Sequence, residues 1–294
     1  MNWMTPIRLA RALPYKERRA PYAYRLRGVL RGVVWDILSE LPLQVDVPRQ
    51  VSPDLKLLLS NRDVALAPSL FRTGSFEESE LRFIRSYLQP GMIAMDIGAN
   101  IGLHTVVIAR AIGPHGRVHA FEPSAVFDRL KRNVALNALQ DRVIANHLAV
   151  GARGGVLKLN ECRTGFEAYT SVNRPFAEGA STGKMFECEQ ITLDSYADKN
   201  QISQIDFMKI DVEGSEPDVL AGAVALLKNH RIGCILMEVN SICLARAGSS
   251  PASLIEEVRQ VGFSVNTLNS GGELMPIPDP IRDEAFNVVC VPSA

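Results

Sequence analysis

Acidic side chains stand at the ends of several short apolar runs, in positions where they can act on one bound molecule. The four that carry the argument are Asp96, Glu122, Asp211 and Glu213. Ligands of open α/β sheets bind at the edge where the carboxyl ends of parallel strands meet, so we expect these carboxylates to share a site. Carboxylates in such a site hold cations, accept hydrogen bonds from hydroxyl groups or remove protons.

The first acid opens a glycine-containing turn over residues 96–102, DIGANIG, between an apolar run and a helix-like run at 103–112. A strand, such a turn and a helix together form the usual cradle of a nucleotide-like cofactor. Gly98 and Gly102 let the backbone approach the ligand and the strand, and Asn100 tolerates a left-handed backbone better than most residues with a side chain. A purely structural turn is the alternative.

The carboxylate of Asp96 distinguishes this turn from a dinucleotide site. A dinucleotide brings a pyrophosphate against the turn, where a negative side chain repels it. Asp96 therefore favours a cofactor that is positively charged here, and S-adenosylmethionine carries both a sulfonium and an ammonium. A nucleotide-dependent oxidoreductase, whose Gly-x-Gly-x-x-Gly spacing this turn lacks, is one rival hypothesis. A non-catalytic nucleoside-binding module of the same fold is the other.

Glu122 closes the second apolar run, in the segment FEPS at residues 121–124. It lies roughly twenty residues beyond the turn, where doubly wound folds place an acid that accepts hydrogen bonds from ribose hydroxyls. Both NAD and S-adenosylmethionine contain such a ribose, so Glu122 indicates a nucleoside without choosing between them. The alternative is that Glu122 and Ser124 serve only the start of the next helix.

The segment KIDVEG, at residues 209–214, ends the fourth predicted strand. Two-residue alternation places Lys209 and Asp211 on the same face of that strand. Asp211 can accept a substrate proton, contact the ammonium of the cofactor or ligate a divalent cation, and a structural pair with Lys209 is the alternative. The catalytic candidates are therefore Asp211, Glu213 and Lys209, and we do not predict a metal. Ser215 with Asp218 predicts a cap for the following helix.

Strands and helices alternate from residue 91 onward. The predicted strands are 92–97, 117–122, 143–150, 205–211, 234–239, 264–268 and 286–291, and the predicted helices are 101–112, 125–139, 215–229 and 251–261. This alternation predicts an α/β fold with a doubly wound, mostly parallel sheet and helices on both faces. Residues 151–198 interrupt the alternation of strands and helices and predict a β-rich insertion or lid. Ala149, near the end of the third strand, is expected to flank the adenine.

The first fifty residues differ in character from the rest of the chain. Residues 1–40 contain eight Lys/Arg and three Asp/Glu, although the whole chain has 32 of each class and no net charge. Residues 25–41 predict an amphipathic helix. Its apolar stripe is formed by Leu30, Val33, Val34, Ile37, Leu38 and Leu41. The stripe either packs on the main domain or contacts an anionic membrane or a partner enzyme.

Prolines and short predicted elements follow this helix. Pro42, Pro48 and Pro53 predict a linker, residues 55–66 predict two short strands around Asn61-Arg62-Asp63, and residues 77–88 predict a helix.

The zero net charge indicates no nucleic-acid partner. No apolar run is long enough to span a bilayer, and five cysteines without paired spacing fit a reduced compartment, so we expect a cytoplasmic protein, with peripheral membrane contact as the alternative.

In combination, these motifs resemble the FkbM-type methyltransferase family. The matching pieces are Pro90-Gly91, residues 96–102, residues 121–124, Asn133 with Asn137, residues 209–214 and Glu238, together with Glu77 ahead of the helix that leads to Pro90. The resemblance covers roughly residues 70–240. It implies a class I, seven-stranded fold and S-adenosylmethionine-dependent O-methylation of a hydroxyl on a sugar, a glycoconjugate or a natural product.

The resemblance also implies which residues hold the cofactor. They are Asp96, Gly98, Ala99, Asn100, Gly102 and Glu122, with Glu77 and Asp211 as further candidates. Pro123 and Ser124, which follow Glu122, and Ala149 are also predicted to contact the cofactor. The fourth strand does not end in the Asn/Asp-Pro-Pro-aromatic pattern of many enzymes that methylate amino groups, and this favours an oxygen acceptor. We therefore expect a basic N-terminal extension over residues 1–50 and a methyltransferase domain over 51–294, with a small-molecule or glycan-type acceptor.

Overall fold

The computed structural model describes residues 22–173, 175, 177–278 and 285–293, with side chains from Gly28 onward. Part of the basic segment, namely Arg8, Arg11, Lys16, Arg18 and Arg19, lies outside the described residues. In the described part of the chain, no helix is long and apolar enough to cross a membrane.

The elements follow the chain in an order close to the predicted one. The helices are α1 (Tyr22–Ser39), α2 (Ala67–Thr73), α3 (Glu78–Tyr87), α4 (Leu103–Ala111), α5 (Phe127–Leu136), α6 (Leu193–Lys199), α7 (Glu216–Ala221), α8 (Val224–Lys228), α9 (Ser241–Arg246) and α10 (Pro251–Gln260). The strands are β1 (Asp46–Ser52), β2 (Leu55–Ser60), β3 (Ile93–Ile97), β4 (Arg117–Phe121), β5 (Val143–Asn146), β6 (Ala149–Val150), β7 (Gly155–Cys162), β8 (Ser181–Ile191), β9 (Phe207–Ile210), β10 (Ile235–Asn240), β11 (Phe263–Leu268), β12 (Leu274–Pro276) and β13 (Ala285–Pro292). A short 3-10 turn, Glu167–Tyr169, lies between β7 and β8.

The chain divides into two compact units, one ending at Phe76 and one beginning at Glu77. This division falls later than the boundary that we predicted after residue 50. The reason lies in the first unit, where α1 packs on α2 through the rings of Trp35 and Phe71, whose centroids are 5.0 Å apart. The two helices and the β1–β2 hairpin therefore belong to one unit.

The predicted linker in the first unit is wrong. Pro48 lies inside β1, which pairs antiparallel with β2 over the register Asp46↔Ser60 to Ser52↔Leu55. A two-stranded sheet has only edge strands, where the missing N–H of proline is tolerated. Asn61 does not turn between two strands as predicted. It follows β2, and its side-chain amide donates to the carbonyl oxygen of Leu43 at 3.0 Å.

In the second unit, eight strands of the described residues form a central sheet in the order β12-β11-β13-β10-β9-β3-β4-β5. The run from β10 to β5 is parallel, and β13 is antiparallel to both of its neighbours. This confirms the doubly wound, mostly parallel α/β fold. Strand β12 adds one more strand at the edge than the seven we predicted.

Two predicted elements are each divided in the structure. The predicted strand 143–150 becomes β5 in the central sheet and β6, which pairs with β8 of a small three-stranded sheet. The predicted helix 215–229 becomes α7 and α8, which meet near Gly222. A Cβ on Gly222 would lie 2.1 Å from the carbonyl oxygen of Gly151, so the close approach of these two backbones requires a glycine.

The predicted β-rich insertion is an antiparallel hairpin of β7 and β8. Strand β9, at the centre of the main sheet, is buried along its whole length, as both faces of a parallel sheet are covered by helices. The core beneath the sheet edge is correspondingly apolar, with Met95, Ile97, Phe121 and Ile210 almost fully buried. These strands are rigid supports for the turns that follow them.

Candidate active site

A cleft opens at the carboxyl ends of the central strands. Seven of the predicted site residues line it. They are Gly98, Asn100, Glu122, Pro123, Ala149, Asp211 and Glu213. The other predicted residues, namely Glu77, Asp96, Ala99, Gly102, Ser124 and Lys209, are not part of this lining. They contact or support the residues that are.

The turn after β3 is fixed by its neighbours on both sides. Gly98 has φ +81°, and a Cβ there would lie 1.8 Å from the carbonyl oxygen of Asp211. The backbone N–H groups of Gly98 and Ala99 donate to the carbonyl oxygen of Phe121 at 3.0 and 2.9 Å. The glycine at 98 is thus required by the end of β9, in addition to any ligand.

Asn100 adopts the left-handed conformation that we predicted, with φ +50°. Gly102 has φ +90°, and a Cβ there would lie 2.6 Å from Leu130 on α5. The same helix holds the turn through Asn133, whose amide donates to the carbonyl oxygen of Ile101 at 2.8 Å. Asn137 in turn donates to the carbonyl oxygen of Asn133, also at 2.8 Å. Asn133 therefore stabilises the turn from the α5 side, and Asn137 bonds to Asn133. Both asparagines belong to the family motif named above.

Glu122 is held by backbone amides. Its two carboxylate oxygens accept the N–H groups of Asn100 and Ser124, each at 2.8 Å, and the side chain is 6% exposed. Burial raises the pKa of Glu122, against the opposing effect of these hydrogen bonds. An ionised carboxylate has about four acceptor positions, so acceptor capacity remains for hydroxyl donors. The geometry fits the predicted ribose contact.

Asp96 is fully buried at the end of β3. The hydroxyl of Thr105 donates to its Oδ2 at 2.5 Å. Its Oδ1 is buried and has no hydrogen-bond partner among the described residues. Because an unsatisfied buried acceptor costs about 1–3 kcal/mol, Oδ1 is a place where a positively charged donor would be stabilised.

Lys209 and Asp211 form the pair that alternation predicted. Lys209 Nζ lies 2.8 Å from Asp211 Oδ2, and the lysine is 4% exposed. Burial lowers the pKa of Lys209, but the charges of Asp211, Asp96 and Glu77 outweigh it and raise the pKa above its ordinary value. The lysine is therefore a buried cation among three carboxylates, which is the structural pairing that we kept as the alternative to catalysis.

Glu77 stands at the start of α3 with a left-handed backbone, φ +46°. Its Oε2 lies 3.1 Å from Nε2 of His104 on α4. Burial raises the pKa of Glu77, but the contact with His104 and the charge of Lys209 outweigh burial and lower it. Glu77 is thus linked through charge to the pair of Lys209 and Asp211.

Four carboxylates crowd the ends of β9 and β10. We call Asp211, Glu213, Glu216 and Glu238 the acidic cluster. Burial and the neighbouring carboxylates raise the pKa of Glu213 to about 8 and that of Glu238 to about 10. Burial likewise raises the pKa of Glu216 to about 7. Oxygens of Asp211, Glu213 and Glu238 all lie within 4.8 Å of one another, a donor set that suits a divalent cation.

Glu216 was missed by the sequence reasoning. The predicted cap of Ser215 with Asp218 is wrong, because Ser215 makes no side-chain cap hydrogen bond. Instead, Glu216 Oε1 accepts the backbone N–H groups of Val212 and Gly214, both at 3.2 Å. The acid two residues after Gly214 was the available signal. Glu216 closes the turn that presents Glu213, which has φ +53°.

The turn after β10 completes the cluster. Asn240 accepts the N–H groups of Ile242 and Cys243, both at 3.2 Å, and so caps α9. The thiol of Cys243 lies 3.3 Å from Glu213 Oε2. Glu213 therefore contacts the cleft on one side and α9 on the other.

The hairpin insertion supplies a further part of the cleft lining. Leu157 and Leu159 of β7 contribute apolar side chains. Polar groups come from the following segment, with Glu167, Thr170 and Ser171 in the lining. The sequence did not single out these residues, because the register of a hairpin decides which of its side chains face the cleft.

The family model for the methyltransferase FkbM domain matches residues 96–265. The chain belongs to this FkbM methyltransferase family. One relative is the 31-O-demethyl-FK506 methyltransferase FkbM of Streptomyces tacrolimicus, 31% identical over 160 residues, with 46% of this chain and 60% of the relative covered. Another is the hexuronic acid methyltransferase AglP of Haloferax volcanii, 24% identical over 166 residues, with 56% and 63% covered.

Among solved structures, the methyltransferase FkbM from Methylobacillus flagellatus aligns with 92% of this chain and 60% of its own, at 12% identity and a TM-score of 0.43. The chain thus spans about 60% of the length of the FkbM proteins it matches. The family match includes the turn after β3, Glu122 and the acidic cluster, and it ends within β11.

Proposed function

We propose that this protein is an S-adenosylmethionine-dependent methyltransferase that methylates a hydroxyl group of a sugar, a glycoconjugate or a natural product. The observation that carries the proposal is that Glu122, Asp211 and Glu213 line the same cleft. Glu122 occupies the position at which an acid accepts hydrogen bonds from ribose hydroxyls. Membership of the FkbM family supports the transfer of a methyl group. The names of the two relatives, for a 31-O-demethyl compound and for a hexuronic acid, support an oxygen-rich acceptor.

The residues present fit the proposed cofactor. Glu122 has acceptor positions left for the ribose hydroxyls, and the unpartnered Oδ1 of Asp96 is suited to a cationic donor such as the ammonium. Leu148, Ala149 and Phe121 supply apolar surface in the lining for the adenine. When bound, the cofactor supplies a methyl group that its sulfonium has already activated.

The protein then has two tasks at the acceptor. It must hold the attacking oxygen in line with the methyl group, which is mainly a matter of positioning. It must also take the hydroxyl proton as the new C–O bond forms and the methyl–sulfur bond breaks. Asp211 and Glu213 both line the cleft and can receive that proton, and Lys209 fixes the orientation of Asp211 from 2.8 Å.

Titration calorimetry with S-adenosylmethionine tests the cofactor half of the proposal. Wild-type protein should bind, and Asp96→Ala and Glu122→Ala should each bind about 10- to 100-fold more weakly, since a hydrogen bond to a charged group contributes about 1.5–3 kcal/mol. Glu189→Ala, at an exposed acid of β8, is the matched control and should bind like the wild type. Absence of binding by folded wild-type protein would overturn the assignment.

Turnover distinguishes the remaining hypotheses. Transfer of a labelled methyl group to a hydroxyl compound, giving an ether that resists mild base, is the expected result. Binding of the cofactor without transfer to any acceptor would favour the non-catalytic module. Fluorescence enhancement of added NADH would favour the oxidoreductase, and we expect none because Asp96 repels a pyrophosphate.

A cation at the acidic cluster is a separate question, because Asp211 can serve either as proton acceptor or as metal ligand. We expect turnover to survive treatment with a chelator, since Lys209 already provides a positive charge beside Asp211. Loss of turnover with EDTA and its recovery with Mg²⁺ would instead show that the three carboxylates bind a catalytic cation.

A further inference from the structure

Helix α1 exposes the apolar stripe that the sequence predicts. The exposed fractions are 56% for Leu30, 43% for Val33, 46% for Val34 and 61% for Ile37. These residues follow the i, i+3, i+4, i+7 spacing of a single helix face. Beyond the helix, Leu43 is 71% exposed. The helix therefore carries a continuous apolar surface on its solvent side.

The opposite face of α1 is the one that anchors the helix. Gly28, Gly32 and Trp35 are buried, and Trp35 contacts Phe71 of α2. The stripe is consequently not needed to hold the helix in its unit. A helix that is anchored on one face and apolar on the other has a surface left for a partner.

The sequence of the segment that contains the stripe points to the nature of that partner. Residues 1–40 contain eight Lys/Arg and three Asp/Glu, and one of the three acids, Asp36, is ion-paired with Arg72 at 2.5 Å. An apolar helix face in a strongly basic segment is the pattern of helices that lie in the interface of an anionic bilayer. We propose that the stripe of α1 docks on an anionic lipid surface.

A second copy of the chain is the less suitable occupant. Two copies that met through this face would bring two strongly basic segments together, and like charges repel. An anionic membrane satisfies both features at once, because its acyl region accepts the apolar side chains and its headgroups attract the basic residues. Attraction of this kind weakens as salt increases.

Cosedimentation of the full chain with vesicles tests the proposal. Vesicles of phosphatidylcholine that contain phosphatidylglycerol should bind the protein, vesicles of phosphatidylcholine alone should bind it about 10-fold more weakly, and added NaCl should reduce the difference. Equal binding to both vesicle types, or no binding to either, would overturn the proposal.

Matched variants connect the binding to the stripe. Leu30→Glu and Ile37→Glu should each reduce binding to the anionic vesicles about 10-fold or more, because each places a carboxylate on the apolar face. Leu136→Glu, at an exposed leucine of another helix, is the control and should bind like the wild type. Circular dichroism should show all three variants folded, since these side chains are exposed. Equal binding by all variants would overturn the proposal.

Light scattering after size-exclusion chromatography tests whether a second copy of the chain covers the stripe. The wild type and Ile37→Glu should have the same mass in the absence of lipid. A wild-type dimer that Ile37→Glu converts to a monomer would show that a second copy covers the stripe, and would overturn the lipid assignment.

Discussion

The two ends of the cleft use carboxylates in opposite ways. At one end, Glu122 accepts two backbone N–H groups. At the other end, the acidic cluster brings four carboxylates together with Lys209 as the buried cation beside them. Glu122 is held in place by the main chain, whereas the members of the cluster repel one another. Burial is the largest cause of the raised pKa values of Glu213 and Glu238, and this repulsion is the second.

The difference teaches which end is prepared for its ligand. Backbone amides around Glu122 are fixed by the turn after β3 and need not move when a ribose binds. The acidic cluster, by contrast, gains stability whenever a proton or a positive group enters it. We therefore expect the Glu122 end to set cofactor affinity and the cluster to respond to pH, acceptor and cations. Four predictions test this contrast.

The largest effect is expected from Gly98→Ala, because this residue belongs to both ends. Its N–H bonds to the strand that leads to Glu122, and its Cα packs on the carbonyl group of Asp211. A Cβ at 1.8 Å from that oxygen should lower the free energy of unfolding by about 4 kcal/mol or more and abolish cofactor binding. Chemical denaturation and calorimetry measure the two effects.

Gly91→Ala is the matched control for this prediction. Gly91 has φ +91° but open space around its Cβ position, so only the strained backbone is penalised, by about 1–2 kcal/mol. Equal destabilisation by the two substitutions would show that the contact with Asp211 carries no weight, and the two ends of the cleft would be independent.

The next effect separates cofactor affinity from chemistry. Asp211→Asn should lower turnover about 10²- to 10³-fold while cofactor affinity changes less than about 10-fold, since general base catalysis contributes about that much to rate. Glu122→Gln should do the reverse, because an amide has one acceptor oxygen for two N–H donors. Equal losses of affinity in both variants would contradict the division of roles. Kinetics with saturating cofactor provide the measurement.

Stability should fall as pH rises through the range in which the three glutamates of the cluster ionise. The pKa values of Glu216, Glu213 and Glu238 are raised from an ordinary value of 4.5 to about 7, 8 and 10. The folded state therefore binds more protons than the unfolded state in this window, so the slope of the unfolding free energy with pH is negative. Each fully shifted group contributes at most about 1.4 kcal/mol per pH unit.

Denaturant unfolding from about pH 5 to about pH 8 measures this slope. Glu238→Gln, which imitates the protonated acid, should make the slope shallower and leave stability near pH 5 almost unchanged. Glu189→Gln, at an exposed acid whose side chain lies outside the cluster, serves as the control. If the stability of the wild type were constant over this range, the result would contradict the raised pKa values of the three glutamates.

The smallest effect is expected from Asn100→Gly. Glycine adopts φ +50° without penalty and retains the backbone N–H that Glu122 accepts. Stability should change by less than about 0.5 kcal/mol, and cofactor affinity should change less than about 3-fold. Asn100→Val keeps the N–H but cannot adopt this backbone easily, and it should weaken binding clearly. If Asn100→Gly also abolished binding, the asparagine side chain would be part of the site.

Much of the Glu122 end could be predicted from the sequence. The left-handed backbone of Asn100, the position of Glu122 after β4 and the shared face of Lys209 and Asp211 all follow from patterns that span a few residues. Such patterns are local, so neighbouring residues contain the information. The requirement for Gly98 was predicted too, although its reason, contact with Asp211, was not.

The acidic cluster was only partly predictable. Sequence reasoning selected Asp211 and Glu213 but overlooked Glu216, because it gave the capping role at this helix start to Ser215 with Asp218. The contact between Glu213 and Cys243 joins residues thirty positions apart and depends on how α9 meets the turn. The hairpin residues of the cleft depend on register in the same way.

The sequence by itself determined the alternation of strands and helices, the charge of the turn after β3 and the membership of the FkbM family. The tertiary structure alone decided that Glu216 closes the turn of Glu213, that the pKa values of Glu213, Glu216 and Glu238 are raised and that the stripe of α1 is exposed. The physical reason is the range of the interactions. Strand and turn patterns arise between neighbours in the chain, whereas repulsion, desolvation and exposure depend on the distances between residues that only folding brings together.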